Sequence, residues 1–270
     1  MGGLSVEIEI MGLKVGNRRK TIIGGPCAIE SHAMAMECAA ELLRIASLFD
    51  VNLIFKGSFD KANRLSGSAA RGIGFKEGLK VLADVREFYK IPVLTDVHES
   101  NQVSTVKEFV DILQIPAFLC RQTDLIVEAA SSGLCVNIKK GQFISPNDMW
   151  HILNKGISTG NDRIMLTERG TFFGYGDLVF DTRGIVIMKG YHVPVIVDIT
   201  HLCQKPGAAD GATSGDRRFI VPYGKVALAL DVDGLYLETH PEPSKAISDR
   251  DTQIPLRELE RVLRMIFGKE

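Results

Sequence analysis

Eight short apolar runs, rich in β-branched residues, recur along the chain at 21–25, 52–56, 92–95, 111–115, 135–139, 163–166, 194–198 and 234–238. Their mean spacing is about 30 residues, the length of one βαβ step. Most are apolar without interruption, as strands covered on both faces should be. Helical patterns lie between them. Residues 32–49 set Met36, Ala39, Leu42, Leu43 and Ala46 at helical spacing. Residues 76–90, 122–132, 216–230 and 252–267 behave similarly, and 177–190 is less regular. The expected fold is a (β/α)8 TIM barrel occupying residues 1–270 as a single domain. An open doubly wound sheet is the alternative, but it needs a topological switch and usually a nucleotide loop. The segment Gly72-Ile-Gly74-Phe-Lys-Glu-Gly78 has one residue too many for such a loop and follows a polar stretch, so it reads as a turn and helix start. Residues 6–17 alternate like a β-hairpin with Gly12 or Gly16-Asn17 at the turn, and this hairpin is expected to cap the N-terminal end of the barrel.

Composition narrows the function. Among 270 residues, 32 Lys and Arg face 33 Asp and Glu, for a formal net charge of −1. That balance argues against a nucleic-acid binder, which carries a basic excess, and against an acidic tail. No apolar run approaches the roughly 18 residues that cross a bilayer, so no membrane partner is expected. The first 15 residues do not read as a signal peptide, and Val6 stands where a myristoylation signal needs Ser or Thr. Cys27, Cys38, Cys120, Cys135 and Cys203 form no CxxC pair and are odd in number, which points to a reducing, cytoplasmic setting.

A barrel enzyme works from the C-terminal ends of its strands. Lys56, Lys61, Arg64, Arg121, Lys139 and Arg169 gather at those ends. Any one of them alone reads as a solvated surface charge. Six converging on one mouth suit a substrate with several negative charges, such as phosphate plus carboxylate. Barrel closure also sets the eighth strand beside the first and the seventh. Cys27, His201 and Glu238 then meet, and Asp249 in the following loop can reach them. This mixture makes a divalent-metal site. The alternative for Cys27 is an inert buried thiol. Cys38 and Cys135 read as core, Cys120 is ambiguous, and Cys203 is an unneeded ligand. His32, His151 and His192 fall outside the pattern.

The strand-end strings also resemble a family. They are Gly25-Pro-Cys-Ala-Ile-Glu-Ser31, Phe55-Lys-Gly-Ser-Phe-Asp-Lys-Ala-Asn-Arg64, Thr95-Asp-Val-His-Glu-Ser100, Gln114-Ile-Pro-Ala-Phe-Leu-Cys-Arg-Gln-Thr-Asp124, Asn137-Ile-Lys-Lys-Gly-Gln-Phe143, Leu166-Thr-Glu-Arg-Gly170 and Glu238-Thr-His-Pro-Glu-Pro243. In order, over about residues 20–265, they resemble the 3-deoxy-D-manno-octulosonate 8-phosphate (KDO 8-phosphate) synthase family. The resemblance implies a transferase of lipopolysaccharide biosynthesis that joins phosphoenolpyruvate to D-arabinose 5-phosphate with water. It implies that Lys139, Arg121 and Arg169 hold phosphoenolpyruvate and that Lys61 sits near the reacting carbons. Asn63 and Arg64 would position the sugar phosphate, with Lys56 and Phe118 in the same substrate-binding set. Arg71 would reach a neighbouring subunit's site in a homotetramer. Cys27 marks the metal-dependent form of the family, whose ligands would be Cys27, His201, Glu238 and Asp249. Departures from the family pattern fall at Leu65, Leu202-Cys203 and Asp216.

The expected chemistry is C–C bond formation between C3 of phosphoenolpyruvate and the pentose aldehyde, with water added at C2. Lys61, Asp96 and His201 are the candidate catalytic residues. Neighbouring cations are expected to lower the Lys61 pKa so that it protonates the forming alkoxide. Asp96 and Glu99 are expected to orient lysines or move protons. Loops at 207–215 and near Asp249 are expected to be mobile and to close over the site. Zinc, iron(II) or manganese suits the mixed donors. Three rivals remain: a DAHP synthase using erythrose 4-phosphate, which typically shows Lys-Pro-Arg-Thr where this chain has Lys61-Ala-Asn63-Arg64, a sialic acid synthase as the weaker enzyme rival, and an inactive barrel acting as a binding protein.

Overall fold

The computed structural model describes residues 6–61, 71–209 and 212–269. A hairpin of β1 (Ile8–Ile10) and β2 (Leu13–Val15) comes first. Seven strands follow, β3 (Thr21–Gly25), β4 (Asn52–Lys56), β5 (Val93–Asp96), β6 (Ile112–Ile115), β7 (Cys135–Lys139), β8 (Ile164–Glu168) and β9 (Val195–Asp198). An antiparallel ribbon, β10 (Gln204–Ala209) and β11 (Ala212–Gly215), precedes β12 (Gly234–His240) and the short β13 (Ile254–Pro255). Parallel pairing runs without a break from β3 to β9, and β12 pairs with both β9 and β3. This closes an eight-stranded parallel barrel, as the recurring apolar runs predicted.

Around it lie α1 (His32–Phe49), α2 (Phe75–Tyr89), α3 (Ser100–Val106), α4 (Thr123–Ser131), α5 (Met149–Ile157), α6 (Thr182–Lys189), α7 (Ile220–Ala229) and α8 (Leu259–Phe267). Helix α1 keeps its expected bounds for local reasons. The Ser31 hydroxyl accepts from Met34 N at its start, and Asp50 ends it in a left-handed conformation. The expected helix over 252–267 is corrected: it begins only at Leu259, because Ile254 and Pro255 add a parallel strand to the end of β12. The 216–230 pattern becomes helix only from Ile220, after a short turn. The α3 and α5 segments lack a long repeat. Helix α3 is seven residues long and buries only Val103 and Val106.

Strand alternation sorts side chains into two layers. Ile23, Ile54, Leu94, Ile112, Cys135, Met165, Ile196 and Tyr236, one from each barrel strand, form an inner cluster. Their neighbours, including Leu53, Val93, Val136, Leu166 and Leu237, pack outward in the cluster shared with the helices. Ile8, Ile10 and Val15 of the hairpin join the inner cluster. The hairpin backbone is held to the N-terminal ends of two strands: Asn52 Nδ2 donates to Lys14 O at 2.9 Å, and Arg163 donates to Glu9 O at 2.7 Å. Replacing Ile10, which is 2% exposed, by Ala removes part of this inner layer. The expected cost is about 2–5 kcal/mol, read as a lower urea midpoint with an unchanged slope.

Candidate active site

The same alternation that builds the apolar layer delivers charge to the barrel mouth. Two residues beyond an inner apolar residue, β4 carries Lys56, β5 carries Asp96, β9 carries Asp198 and β12 carries Glu238. In β7 the inward series is Cys135, Asn137, Lys139. At the same distance from the apolar layer the other strands carry neutral groups, where Asn137 Nδ2 donates to Gln114 Oε1 at 2.9 Å and Thr167 Oγ1 donates to Asn137 Oδ1 at 2.6 Å. A Cβ on Gly25, the inward residue at the end of β3, would lie 1.9 Å from Lys56 O, so only glycine lets these two strands approach.

Two buried ion pairs cross the mouth, as low-dielectric surroundings favour, and the remaining charges meet neutral side chains or a histidine. Lys56 donates to Glu238 Oε1 at 2.6 Å and to Cys27 O at 2.8 Å. Lys139 donates to Asp198 Oδ2 at 2.6 Å and lies over the Tyr236 ring at 3.7 Å. His201 Nδ1 lies 2.7 Å from the same Asp198 oxygen. Lys61 donates to Ser58 Oγ at 2.8 Å, and Ser58 donates to Asp96. His98 Nε2 lies 3.2 Å from Asp96. Arg169 donates to Gln204 Oε1, and Gln204 Nε2 donates to Asp249 Oδ1, each at 2.6 Å.

Burial alone would raise the Asp96 carboxyl, yet Lys61, His98 and Lys56 hold it well below the usual range. Burial likewise opposes the Lys61 ammonium, but Cys27, Asp96 and Glu238 outweigh it and hold its pKa above the ordinary lysine value. The expected lowering of Lys61 is therefore corrected, because its nearest charges include acids as well as cations. Lys139 and Arg169 do fall below their usual values, through burial.

Three of the four expected metal ligands come together. Ligand atoms of Cys27, Glu238 and Asp249 all lie within 4.8 Å of one another. The Cys27 thiol donates to Asp249 Oδ2 at 2.9 Å, and Gln253 Oε1 accepts from Cys27 N at 3.1 Å. Pairing of Ile254 with Thr239 holds the Asp249 turn against the mouth. Burial, then Asp249 and Glu238, push the Cys27 thiol well up. Glu238 Oε2 is buried without a hydrogen-bond partner. A cation satisfies both features, since it accepts an orphaned carboxylate oxygen and favours a thiolate. His201 stands outside the trio but faces it, with Nε2 3.7 Å from Glu238 Oε2.

Other expected residues are placed differently. Asn63, Arg64 and Leu65 lie outside the described residues. Arg121 is exposed, and Phe118 is 51% exposed. Arg71 is exposed and grips Asp60 of its own chain with a bond of 2.6 Å from Nε. Glu99 caps α3 and does not reach the lysines: its backbone N and that of His98 donate to Gln102 Oε1. The 207–215 stretch lies largely in the ribbon of β10 and β11. Asp216 accepts from Arg218 N at 3.1 Å, capping the turn before α7, and Cys203 donates to Ile199 O at 3.3 Å, away from the ligand group. Sequence reading missed Ser58, Asp198, Gln204 and Gln253. Of these only Asp198 carried a signal, its inward parity with Ile196.

This arrangement has known counterparts. Residues 5–268 match the DAHP synthetase I family, and the chain belongs to it. Within that family it is similar to proteins named 2-dehydro-3-deoxyphosphooctonate aldolase, the KDO 8-phosphate synthases to which its strand-end motifs pointed. The one from Geobacter metallireducens is 47% identical over 261 residues, 96% of each chain. That from Desulfotalea psychrophila is 49% identical over 242 residues, covering 90% of this chain and 86% of the relative. That from Francisella tularensis subsp. holarctica is 45% identical over 260 residues, covering 96% and 94%.

Lys56 and Glu238 are each 1% exposed. Lys56→Met leaves the carboxylate buried and uncompensated, with an expected loss of about 3–5 kcal/mol in chemical denaturation. Combining it with Glu238→Gln restores most of that loss.

Proposed function

We propose that this chain condenses phosphoenolpyruvate with D-arabinose 5-phosphate and water, giving 3-deoxy-D-manno-octulosonate 8-phosphate and inorganic phosphate. The observation that carries this reading is the 45–49% identity to relatives of that name over 90–96% of the chain. The same names disfavour erythrose 4-phosphate as acceptor. The paired charges of the mouth support an enzyme over an inert binding barrel.

Lys139 and Arg169 are read as the groups that hold the phosphate and carboxylate of phosphoenolpyruvate, with Arg121 approaching from its exposed loop. Both inner cations are already partnered, so they are held in place before substrate arrives. C3 of phosphoenolpyruvate attacks the aldehyde carbon of the pentose, and the aldehyde oxygen takes a proton. Lys61 is the donor this reading assigns, because it is protonated at neutral pH and is anchored through Ser58 to Asp96. Water adds at C2 and gives up a proton to an oxygen of the phosphate that will leave, since Asp96 is held too low to accept it and His201 is counted with the ligands. Phosphate departs as C2 becomes a carbonyl. Asn63 and Arg64 take the sugar phosphate. In a cytoplasmic homotetramer, the exposed Arg71 would exchange Asp60 for the sugar phosphate of a neighbouring site.

Cys27, Glu238 and Asp249, joined by His201, would hold a divalent ion, with zinc, iron(II) and manganese all suited to the donor set. Bound there, such an ion supplies Lewis-acid polarisation of an aldehyde or water oxygen.

Purified protein given phosphoenolpyruvate with arabinose 5-phosphate is expected to release phosphate. Release with erythrose 4-phosphate alone would overturn the substrate assignment. Thorough chelation, and separately Cys27→Ala, should each lower the rate at least about a hundredfold, since metal assistance contributes several kcal/mol. Full activity in either case removes the metal from the mechanism.

A further inference from the structure

Each inner cation assigned to the substrate anion is joined, through one neutral or acidic side chain, to one residue of the ligand group. The first link runs from Lys139 Nζ to Asp198 Oδ2 at 2.6 Å, and His201 Nδ1 lies 2.7 Å from that oxygen, close but without hydrogen-bond geometry. Asp198 is fixed from behind: its Oδ1 accepts from His201 N at 2.9 Å and from the Thr200 hydroxyl at 3.0 Å. It is 0% exposed, so water cannot take the place of either partner. The second link runs from Arg169 to Gln204 Oε1 and from Gln204 Nε2 to Asp249 Oδ1, each step 2.6 Å. Neither Asp198 nor Gln204 belongs to the ligand trio.

We propose that Asp198 and Gln204 are positioning residues that couple anion binding to metal binding, so that phosphoenolpyruvate tightens the hold on the ion and the ion tightens the hold on phosphoenolpyruvate. The inference rests on the function proposed above. Its physical basis is a shared acceptor oxygen in the first link and a shared amide side chain in the second. A substrate phosphate that draws Lys139 toward itself leaves the Asp198 oxygen to the imidazole N–H. That fixes the tautomer with Nε2 turned toward Glu238 and makes that nitrogen a better donor. When Arg169 turns toward the substrate carboxylate, Gln204 is left bonded to Asp249 alone, which holds that carboxylate in one orientation. Binding linkage requires the effect to be equal in the two directions.

The test uses the full chain and Co2+, whose thiolate charge-transfer absorption reports binding at Cys27 independently of turnover. Co2+ is titrated with and without saturating phosphoenolpyruvate into the wild type, Asp198→Asn, Gln204→Met and the double variant. Gln204→Met changes no charge, which separates the link from general electrostatics. In the wild type, phosphoenolpyruvate should lower the Co2+ Kd at least fivefold. Each single variant should reduce that ratio, and in the double variant it should lie within twofold of one. Asp198→Asn should also weaken Co2+ binding about 10–100-fold. A double variant that keeps the wild-type ratio overturns the proposal, as does a wild type that binds both ligands independently. A wild type that binds neither Co2+ nor phosphoenolpyruvate overturns the proposed function along with it. Should Asp198→Asn fail to fold, Gln204→Met alone decides: an unchanged ratio there overturns the second link.

Discussion

Lys56 and Glu238, and beside them Lys139 and Asp198, are ion pairs taken almost wholly out of water inside a closed barrel. None of these four side chains could be buried alone, because an unpaired charge there costs several kcal/mol. Each pair joins two strands that are distant in sequence: β4 to β12, and β7 to β9. Closure of the barrel and neutralisation of its mouth are therefore one requirement. Glu238, which stands with Cys27 and Asp249, belongs to one of these pairs, and His201 lies against the carboxylate of the other. Remove one partner and the geometry of the rest is no longer determined.

Beneath the charges, the apolar layer fixes where they stand. One residue from each of eight strands fills the interior, and three hairpin residues complete the filling. A core of this density leaves side chains few alternative rotamers. The polar residues two positions further on inherit that order. Preorganisation of this kind is what an enzyme acting on two phosphorylated substrates needs, because its cations must already be aimed before the anions arrive.

Much of this was legible in the sequence because barrel strands are short, regular and apolar on both faces. Cys27, Lys56, Lys139 and Glu238 followed from strand ends and closure alone. The residues that were missed act through contacts that no local pattern encodes. Gln253 meets Cys27 across 226 positions, and Gln204 meets Asp249 across 45. Ser58 looked like an ordinary loop serine. Asp198 was recoverable, since Ile196 points inward and β-strands repeat every two residues. The false extension of α8 back to residue 252 had a different cause: two residues of β13 are too few to show strand alternation.

The near-zero net charge of the chain is reproduced locally. Among the described residues of the mouth, Lys56, Lys61, Lys139 and Arg169 face Asp96, Asp198, Glu238 and Asp249. Balanced in this way, the site attracts a phosphorylated carboxylate less strongly than a bare cluster of cations would. It is also far less costly to bury. On the function proposed above, a divalent ion on Cys27, Glu238 and Asp249 would engage the carboxylates that here hold Lys56 and Gln204. Of these two side chains only Lys56 is a cation, so the exchange would release positive charge at the end of β4. A mouth built only of cations would bind anions without the ion and gain nothing from it. In a neutral mouth, an ion that engages the carboxylates changes the charge the anion meets, which is the physical ground for the coupling proposed above.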